Sequence, residues 1–430
     1  MFKVNKKIHV CLSLVLNILI SKSVYAETLM DAFAKAYIHN ANLNSERAAV
    51  RISSEDVAIA RSGLLPEIEG IGNYGRNKPV FGSYSTSGSI GIKLSQRLFD
   101  GFIIQNTFSS AQVKLQAQRE YLRNAEQNVF LEAVKAYANV YQARRIANLR
   151  RKNLAALEEH VRSNKAKLEV GEGGRVDLSQ AEAARSVAVS ELSLAHADVR
   201  SAEAVYRQVI GFDPEKLQSP PVAGGLPISF DAAHQVSIVM HPAILYAKYL
   251  VNASSYDVKA KEGALLPKVD FFATTSYNRI YSGPGKDGSS NSIGLSVSVP
   301  IFEGGRTTAQ IRKSKEQFGQ ARLQLDLAYS SVRQALTSAW FQLEGARASV
   351  VAYRDSVRAA EIALKGRIQE NRVGQATTLD VLNSRSQLIN AQIALATAER
   401  NAVVASYSVQ SSIGKLTADY LGLKVVKNVQ

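Results

Sequence analysis

Residues 53–66 read SSEDVAIARSGLLP, and residues 254–267 repeat them 201 positions later as SSYDVKAKEGALLP. Further copies follow at an offset of 203: Phe99-Asp100-Gly101 with Phe302-Glu303-Gly304, and Ile210-Gly211 with Ile413-Gly414. Two copies are too few for a solenoid. The sequence therefore predicts a duplicated structural unit, with the first copy at 27–229 and the second at 230–430.

Each unit is predicted to contain two strands, because apolar residues alternate there with small polar residues. The clearest case is 292–299, SIGLSVSV. The segments between the paired strands are rich in Gly, Ser and Asn, which is typical of exposed loops. The predicted strands lie at about 67–77, 88–98, 268–278 and 291–300.

Three helices complete each unit. Residues 102–170 contain neither Gly nor Pro, so they predict one helix about 100 Å long. The matching long helix lies at 306–373. Helices of about half this length are predicted before the strands, at 27–62 and 230–263, and after the long helices, at 176–210 and 378–413.

These lengths predict a rod, because two half-length helices stacked end to end match one long helix. The strands would lie at one end of the rod. The hairpin turns, at about 170–177 and 373–380, would form a tip at the other end. An equatorial belt would come from the segment 212–229 and the C-terminal tail 414–430.

The first 26 residues predict a secretory signal peptide that is removed after Ala26. Lys3, Lys6 and Lys7 precede an apolar stretch, and Val24-Tyr25-Ala26 suits the cleavage site. The alternative is a short membrane anchor, which the small residues at the cleavage site disfavour. This segment holds four lysines and no acid, so the mature chain keeps +11 of the +15 net charge.

Several functional classes are excluded or disfavoured. The basic residues are spread along helices without a nucleic-acid-binding motif, so no nucleic-acid partner is expected. Cys11 is the only cysteine, which excludes a disulfide framework. No two histidines are spaced i, i+4, and there is no G-x-S-x-G elbow or phosphate-binding loop. We expect neither an enzyme nor a metal or cofactor site.

Membrane insertion, if it occurs, must use the strands, because no stretch of 18 apolar residues follows the signal peptide. Four strands cannot close a barrel, for which about eight are the practical minimum. Several chains must then contribute strands to one barrel. The residues alone do not decide whether two or three chains form the barrel.

Leu-Leu-Pro stands before each strand pair, and three further runs are distinctive: SVPIFEGG at 298–305, VGEG at 170–173 and LDVL at 379–382. With these runs, the duplicated plan resembles the TolC family of outer-membrane export channels over essentially all of 27–420. The VGEG turn is similar to that of members serving type I protein secretion. The competing class is an exported coiled-coil structural or adhesion protein without channel activity.

The resemblance implies a mainly α protein with a membrane β-barrel. Three chains would form a twelve-stranded barrel in the outer membrane of a Gram-negative bacterium, above a long periplasmic α-helical barrel. Such a homotrimer is the exit duct for drugs or secreted proteins. Its expected partners are a periplasmic adaptor, an inner-membrane ABC or RND-type transporter, and outer-membrane lipid.

Two aspartates and one asparagine are candidate pore residues. Asp177 and Asp380 each lie six residues after a turn glycine, where an acid also stabilises the helix dipole. The resemblance implies that Asp380 lines the periplasmic entrance. Asn383 stands where some members carry a second acid, so a second acidic ring is not expected. Asp177 is predicted to pair with Arg175 or Arg372.

The turns at the tip are candidate docking sites for the adaptor, because they lie farthest from the strands. The residues concerned are Val170, Gly171, Glu172 and Gly173 in the first unit, and Val373, Gly374 and Gln375 in the second.

Overall fold

The computed structural model describes residues 26–78 and 80–423. Apart from Ala26, the predicted signal peptide lies outside this range. The last seven residues of the predicted C-terminal tail lie outside it as well.

The first unit contains four helices and two strands. They are α1 (Leu29–His39), α2 (Ala41–Ser62), β1 (Glu67–Asn77), β2 (Ser85–Phe99), α3 (Ile103–Glu169) and α4 (Arg175–Ile210). The second unit repeats this order: α5 (Phe230–Met240), α6 (Pro242–Gly263), β3 (Lys268–Ser282), β4 (Gly288–Ser298), α7 (Arg306–Arg372) and α8 (Thr378–Ser412).

The prediction of one continuous helix before each strand pair was wrong. The first breaks at Asn40, whose backbone is extended and whose side-chain oxygen accepts the Leu43 N–H at 3.1 Å. The second breaks at His241, before Pro242. An asparagine cap and a proline at the first helical position both start a new helix, because each satisfies or removes an orphan N–H group. The helices next to the strands are therefore 22 residues long.

The long helix α3 is flanked by half-length helices from both units. It contacts α2 and α4 of its own unit, and also α6 and α8 of the second unit. The equivalent helix α7 has α5, α6 and α8, all of its own unit, as its neighbours. One side of α7 is thus left without the partners that α3 has.

The strands form one antiparallel sheet in the order β1-β2-β3-β4, so β2 and β3 join the two units. Because side chains alternate along a strand, one face carries most of the large apolar residues and the other carries serines and glycines. Ile90, Ile92 and Leu94 of β2 lie on the apolar face. Tyr277 of β3 lies on the same face, because it pairs with Ile90. This face is exposed in the single chain.

A hydrophobic core at mid-rod joins α1, the centre of α3 and the C-terminal tail. Phe33 and Phe130 lie 5.1 Å apart between ring centroids, and Leu416 of the tail is fully buried in the same cluster. Tyr137 donates its hydroxyl proton to the backbone oxygens of Glu27, at 2.7 Å, and Gln218, at 2.9 Å. These contacts place the segment after α4 and the tail around the middle of the rod, as the lengths predict.

Candidate functional site at the helical tip

The first tip turn is a Schellman motif built around Gly171. The Glu172 N–H donates to the Lys167 carbonyl at 2.9 Å, and the Gly171 N–H donates to that of Leu168 at 3.1 Å. Gly171 has φ +78°, the left-handed conformation that glycine adopts without steric cost. The turn satisfies the last carbonyls of α3 and starts α4 at Arg175.

The second turn has the same geometry. The Gln375 N–H donates to the Glu370 carbonyl at 2.9 Å, the Gly374 N–H donates to that of Asn371 at 3.2 Å, and Gly374 has φ +77°. The residue before each glycine, Val170 or Val373, is 71% exposed. Each tip therefore presents an apolar side chain to solvent on a fixed turn.

Asp380 is held in a capping box at the start of α8. One carboxylate oxygen accepts the Thr377 hydroxyl at 2.7 Å and the Thr377 N–H at 2.9 Å, and the Asp380 N–H donates back to the hydroxyl at 3.2 Å. These hydrogen bonds, first the hydroxyl and then the backbone, hold the pKa of Asp380 below its ordinary value. The carboxylate is thus ionised at neutral pH, with a fixed orientation.

Asp177 occupies the equivalent position in α4 but has no capping box, because Gly174 stands where the second unit has Thr377. Among the described residues it forms no ion pair with Arg175 or Arg372, so the predicted pairing is absent from this structure. The ion pairs near the tip involve other residues: Arg162–Glu159, Arg185–Glu158 and Arg367–Glu370. Asn383 is exposed, one turn after Asp380 on α8.

The sequence analysis did not predict a polar cluster that lies behind the tip. Asn164 of α3 is buried and lies 3.0 Å from Nδ1 of His160. Burial, and then the charge of Arg385 on α8, lower the pKa of His160. The Nε of Arg385 is buried without a hydrogen-bond partner among the described residues.

The sequence signal for this cluster was weak. Asn164 lies seven residues after the buried Leu157, at an equivalent position in the helix seam. A polar residue at such a position often fixes the register between helices.

A protein-family model described as outer membrane efflux protein matches residues 33–211 and 235–415, once in each unit. The chain belongs to the outer membrane efflux protein family. It is 52% identical over 411 residues to the outer membrane efflux protein BepC of Brucella suis biovar 1, covering 95% of this chain and 90% of that protein. It is 25% identical to the outer membrane protein TolC of Escherichia coli, over 91% of this chain and 83% of TolC.

The fold agrees with solved structures of outer-membrane channels. The outer-membrane channel OprN superposes with a TM-score of 0.78 at 19% identity, covering 90% of this chain and 89% of that chain. The predicted resemblance to the TolC family and the mainly helical fold are therefore confirmed. A channel function fits these relatives, and the alternative of an exported coiled-coil structural or adhesion protein is not favoured.

The outer membrane efflux family and its fold are those of transport channels rather than of enzymes. Across the residues that the structure describes, no group of three or more His, Cys, Asp or Glu side chains is placed to hold a metal ion. None of the described helices is long and apolar enough to cross a membrane.

Proposed function

We propose that this protein is a homotrimeric exit duct in the outer membrane of a Gram-negative bacterium. Three chains would contribute four strands each to a twelve-stranded barrel, above a periplasmic helical tunnel. The duct would receive its substrates from a periplasmic adaptor and an inner-membrane ABC or RND-type transporter. The proposal covers multidrug efflux and type I protein secretion, and it assigns the chain no catalytic step, no cofactor and no nucleic acid.

The observation that carries the proposal is an open sheet on an incomplete helical wall. Strands β1 and β4 lie at the two edges of the sheet, and each has one unpaired edge within the chain. An unpaired edge beside an exposed apolar face is not stable in lipid, because the backbone groups there have no hydrogen-bond partner. Pairing β4 of one chain with β1 of the next would remove every edge.

The helical wall is incomplete in the same way. Ala260 on α6 is 9% exposed against α3, whereas its counterpart in the first unit, Ile59 on α2, is 68% exposed. The same difference appears where α3 meets α8: Ala138 on α3, which lines a cavity with Ala396 and Val403 of α8, is 1% exposed, whereas its counterpart Phe341 on α7 is 60% exposed. The seam between α3 and α6 inside one chain would recur between α7 of one chain and α2 of another.

The trimer is tested by placing charges in this seam. Ile52→Asp with Ile59→Asp should strongly reduce the trimer recovered from detergent-extracted outer membranes, because two carboxylates would be buried without partners. Ser54→Asp with Ala58→Asp adds the same charge to exposed positions on the other side of α2 and should leave the trimer intact. Native mass measurement gives the amount of trimer for both variants. A monodisperse monomer from wild-type membranes would contradict the trimer.

We also propose that Asp380 narrows the periplasmic entrance and favours cations. Three copies around an axis would form a ring of like charge, and the capping box would orient each carboxylate. Asn383 would add no charge to this ring. Asp177, whose carboxylate has no ion pair among the described residues, would lie beside the entrance in the first unit.

Planar-bilayer recordings can separate the charge of Asp380 from its capping role. Asp380→Ala should leave the pore with little preference for cations over anions, and Asp380→Arg should reverse the preference. Asp380→Glu keeps both the charge and the capping box, so it should behave as wild type. Thr377→Ala removes the cap but not the charge, so selectivity should largely survive. If Thr377→Ala and Asp380→Ala change selectivity equally, Asp380 acts only as a helix cap.

A further inference from the structure

The two charged residues on the apolar face of the described strands are Arg76 and Arg279, and both lie at its loop end. The register places Arg76 opposite Thr86, and Arg279 opposite Gly88, on the same side as Ile90 and Ile92. The other strand charges all lie on the polar face, nearer the helices: Glu67, Glu69, Lys93, Arg97, Lys268 and Asp270. They comprise three acids and three bases, so only the loop end has an excess of charge.

The same short motif places both arginines. Tyr74-Gly75-Arg76 in β1 returns as Tyr277-Asn278-Arg279 in β3, at the offset of 203 that relates the two units. Residues two apart in a strand share a face, so each tyrosine precedes its arginine on the apolar face. The duplicated unit has kept Tyr-x-Arg in a stretch where few other residues match.

The tyrosines mark where the apolar face ends. The part of β3 from Val269 to Tyr277 is nine residues long, which is the length that a membrane-crossing strand needs. Tyrosine is enriched at the boundary between hydrocarbon and headgroups, because its ring is apolar and its hydroxyl is polar. The next residue on this face, Arg279, would then lie at the level of the headgroups.

Aromatic side chains support the cations at this end. The Arg76 guanidinium lies 4.2 Å from the ring centroid of Tyr84, and the Lys78 ammonium lies 5.0 Å from it. The rings of Tyr74 and Tyr281 meet edge to face at 5.7 Å. Stacking on a ring restricts a guanidinium before any ligand arrives, and this reduces the entropy lost on binding.

The chain itself leaves this charge largely uncompensated. Arg76 has no ion pair among the described residues. Arg279 faces Asp287 at 3.9 Å, but one oxygen of that carboxylate accepts the Ile280 N–H at 2.7 Å. Across 74–88 and 277–291, Arg76, Lys78, Arg279 and Lys286 are balanced by Asp287 alone. A ligand with several negative charges fits this surface.

From these observations we infer that the loop end of the apolar face, formed by Arg76, Arg279, Tyr74, Tyr84 and Tyr281, binds the phosphate groups of phosphorylated lipids. Guanidinium groups match phosphate oxygens in two-point geometry, and the adjoining apolar strands would hold the acyl chains. We call this surface the phosphate rim. The inference rests on the proposed function, because it requires the apolar face to lie in a membrane.

The test compares two lipids and two variants of the full-length protein extracted in detergent. Lipid A with two phosphates and lipid A with one are titrated, and bound copies are counted by native mass measurement. Wild type should prefer the doubly phosphorylated form. Arg76→Gln with Arg279→Gln should weaken its binding by about tenfold for each arginine replaced, since a charge-assisted hydrogen bond contributes about that factor. Inorganic phosphate, which lacks acyl chains, should fail to displace the lipid.

Lys93→Gln with Arg97→Gln is the matched control, because it removes two positive charges from the polar face of the same sheet. It should leave lipid binding unchanged. Equal loss in both double variants, or no loss in the rim variant, would overturn the phosphate rim.

Flotation with phosphatidylcholine vesicles separates this inference from the proposed function. Both variants and wild type should insert there, because insertion depends on the apolar strands. If all three proteins insert but the rim variant binds lipid A as wild type does, the inferred phosphate rim is wrong and the proposed exit duct is unaffected. Failure of wild type to insert would overturn both.

Discussion

Valine at both tip glycines, Gly171→Val with Gly374→Val, is expected to abolish export while trimer accumulates normally in the outer membrane. Both glycines have φ near +78°, which a residue with a Cβ disfavours by about 1–2 kcal/mol, and a β-branched residue fits it worst. A Cβ built at either position meets no atom within 4 Å. The change would therefore distort the turn without a clash in the core.

The turns set the orientation of Val170 and Val373, which are exposed at the tip, and of Glu172, Gly173 and Gln375. We propose that these residues receive the helical ends of the adaptor. Distorting two turns per chain would alter six turns in a trimer. The loss should appear as drug hypersensitivity or as missing secreted substrate, measured beside trimer abundance.

Asparagine at the same two positions is the matched control. Asparagine tolerates the left-handed conformation, so Gly171→Asn with Gly374→Asn should retain most export. Normal export in the valine variant would show that the turns are not part of the docking surface. Loss of the trimer in that variant would show that the glycines serve folding instead.

Gly101→Ala should strongly destabilise the fold, because the strands and helices of the two units meet there backbone to backbone. Gly101 follows β2 with φ +72°, and a Cβ added to it would lie 2.2 Å from the carbonyl oxygen of Gly263 at the end of α6. Gly263→Ala would place a Cβ equally close to the Gly101 oxygen. Because both contacts are to backbone, neither can be relieved by a side-chain rotation.

The expected cost is about 2–4 kcal/mol, from overpacking together with the unfavourable φ. That is a large part of the 5–15 kcal/mol by which proteins are commonly stable. The midpoint of denaturation and the yield of inserted protein should both fall. Gly304→Ala shares the positive φ, at +61°, but has open space around its Cβ, so it should cost much less. Equal effects would attribute the loss to backbone conformation rather than to the close approach.

Much of the fold follows from local patterns. The run without Gly or Pro that ends at Gly171 predicted α3 to within a residue at each end, because helix termination depends on residues close in sequence. Alternation predicted all four strands, although β2, β3 and β4 extend further into the loops than expected. The breaks at Asn40 and His241 were missed, because the apolar pattern continues across both.

The candidate site was less predictable. The positions of Gly171, Gly374, Asp177 and Asp380 follow from the repeat, but the state of their side chains does not. Asp380 is capped because Thr377 precedes it by three residues, and Asp177 is not capped because Gly174 stands in that place. The cluster of His160, Asn164 and Arg385 joins α3 to α8 across more than 200 residues of sequence.

From the sequence come the repeat, the helix and strand types, the turn glycines and the family, since each depends on residue identities over short spans. The tertiary structure adds the neighbours of each helix. It puts α3 between half-length helices of both units and leaves one side of α7 open. It also brings Arg76 and Arg279 to one end of one face. Such contacts join residues far apart in the chain, and they are fixed by packing and strand register rather than by local pattern.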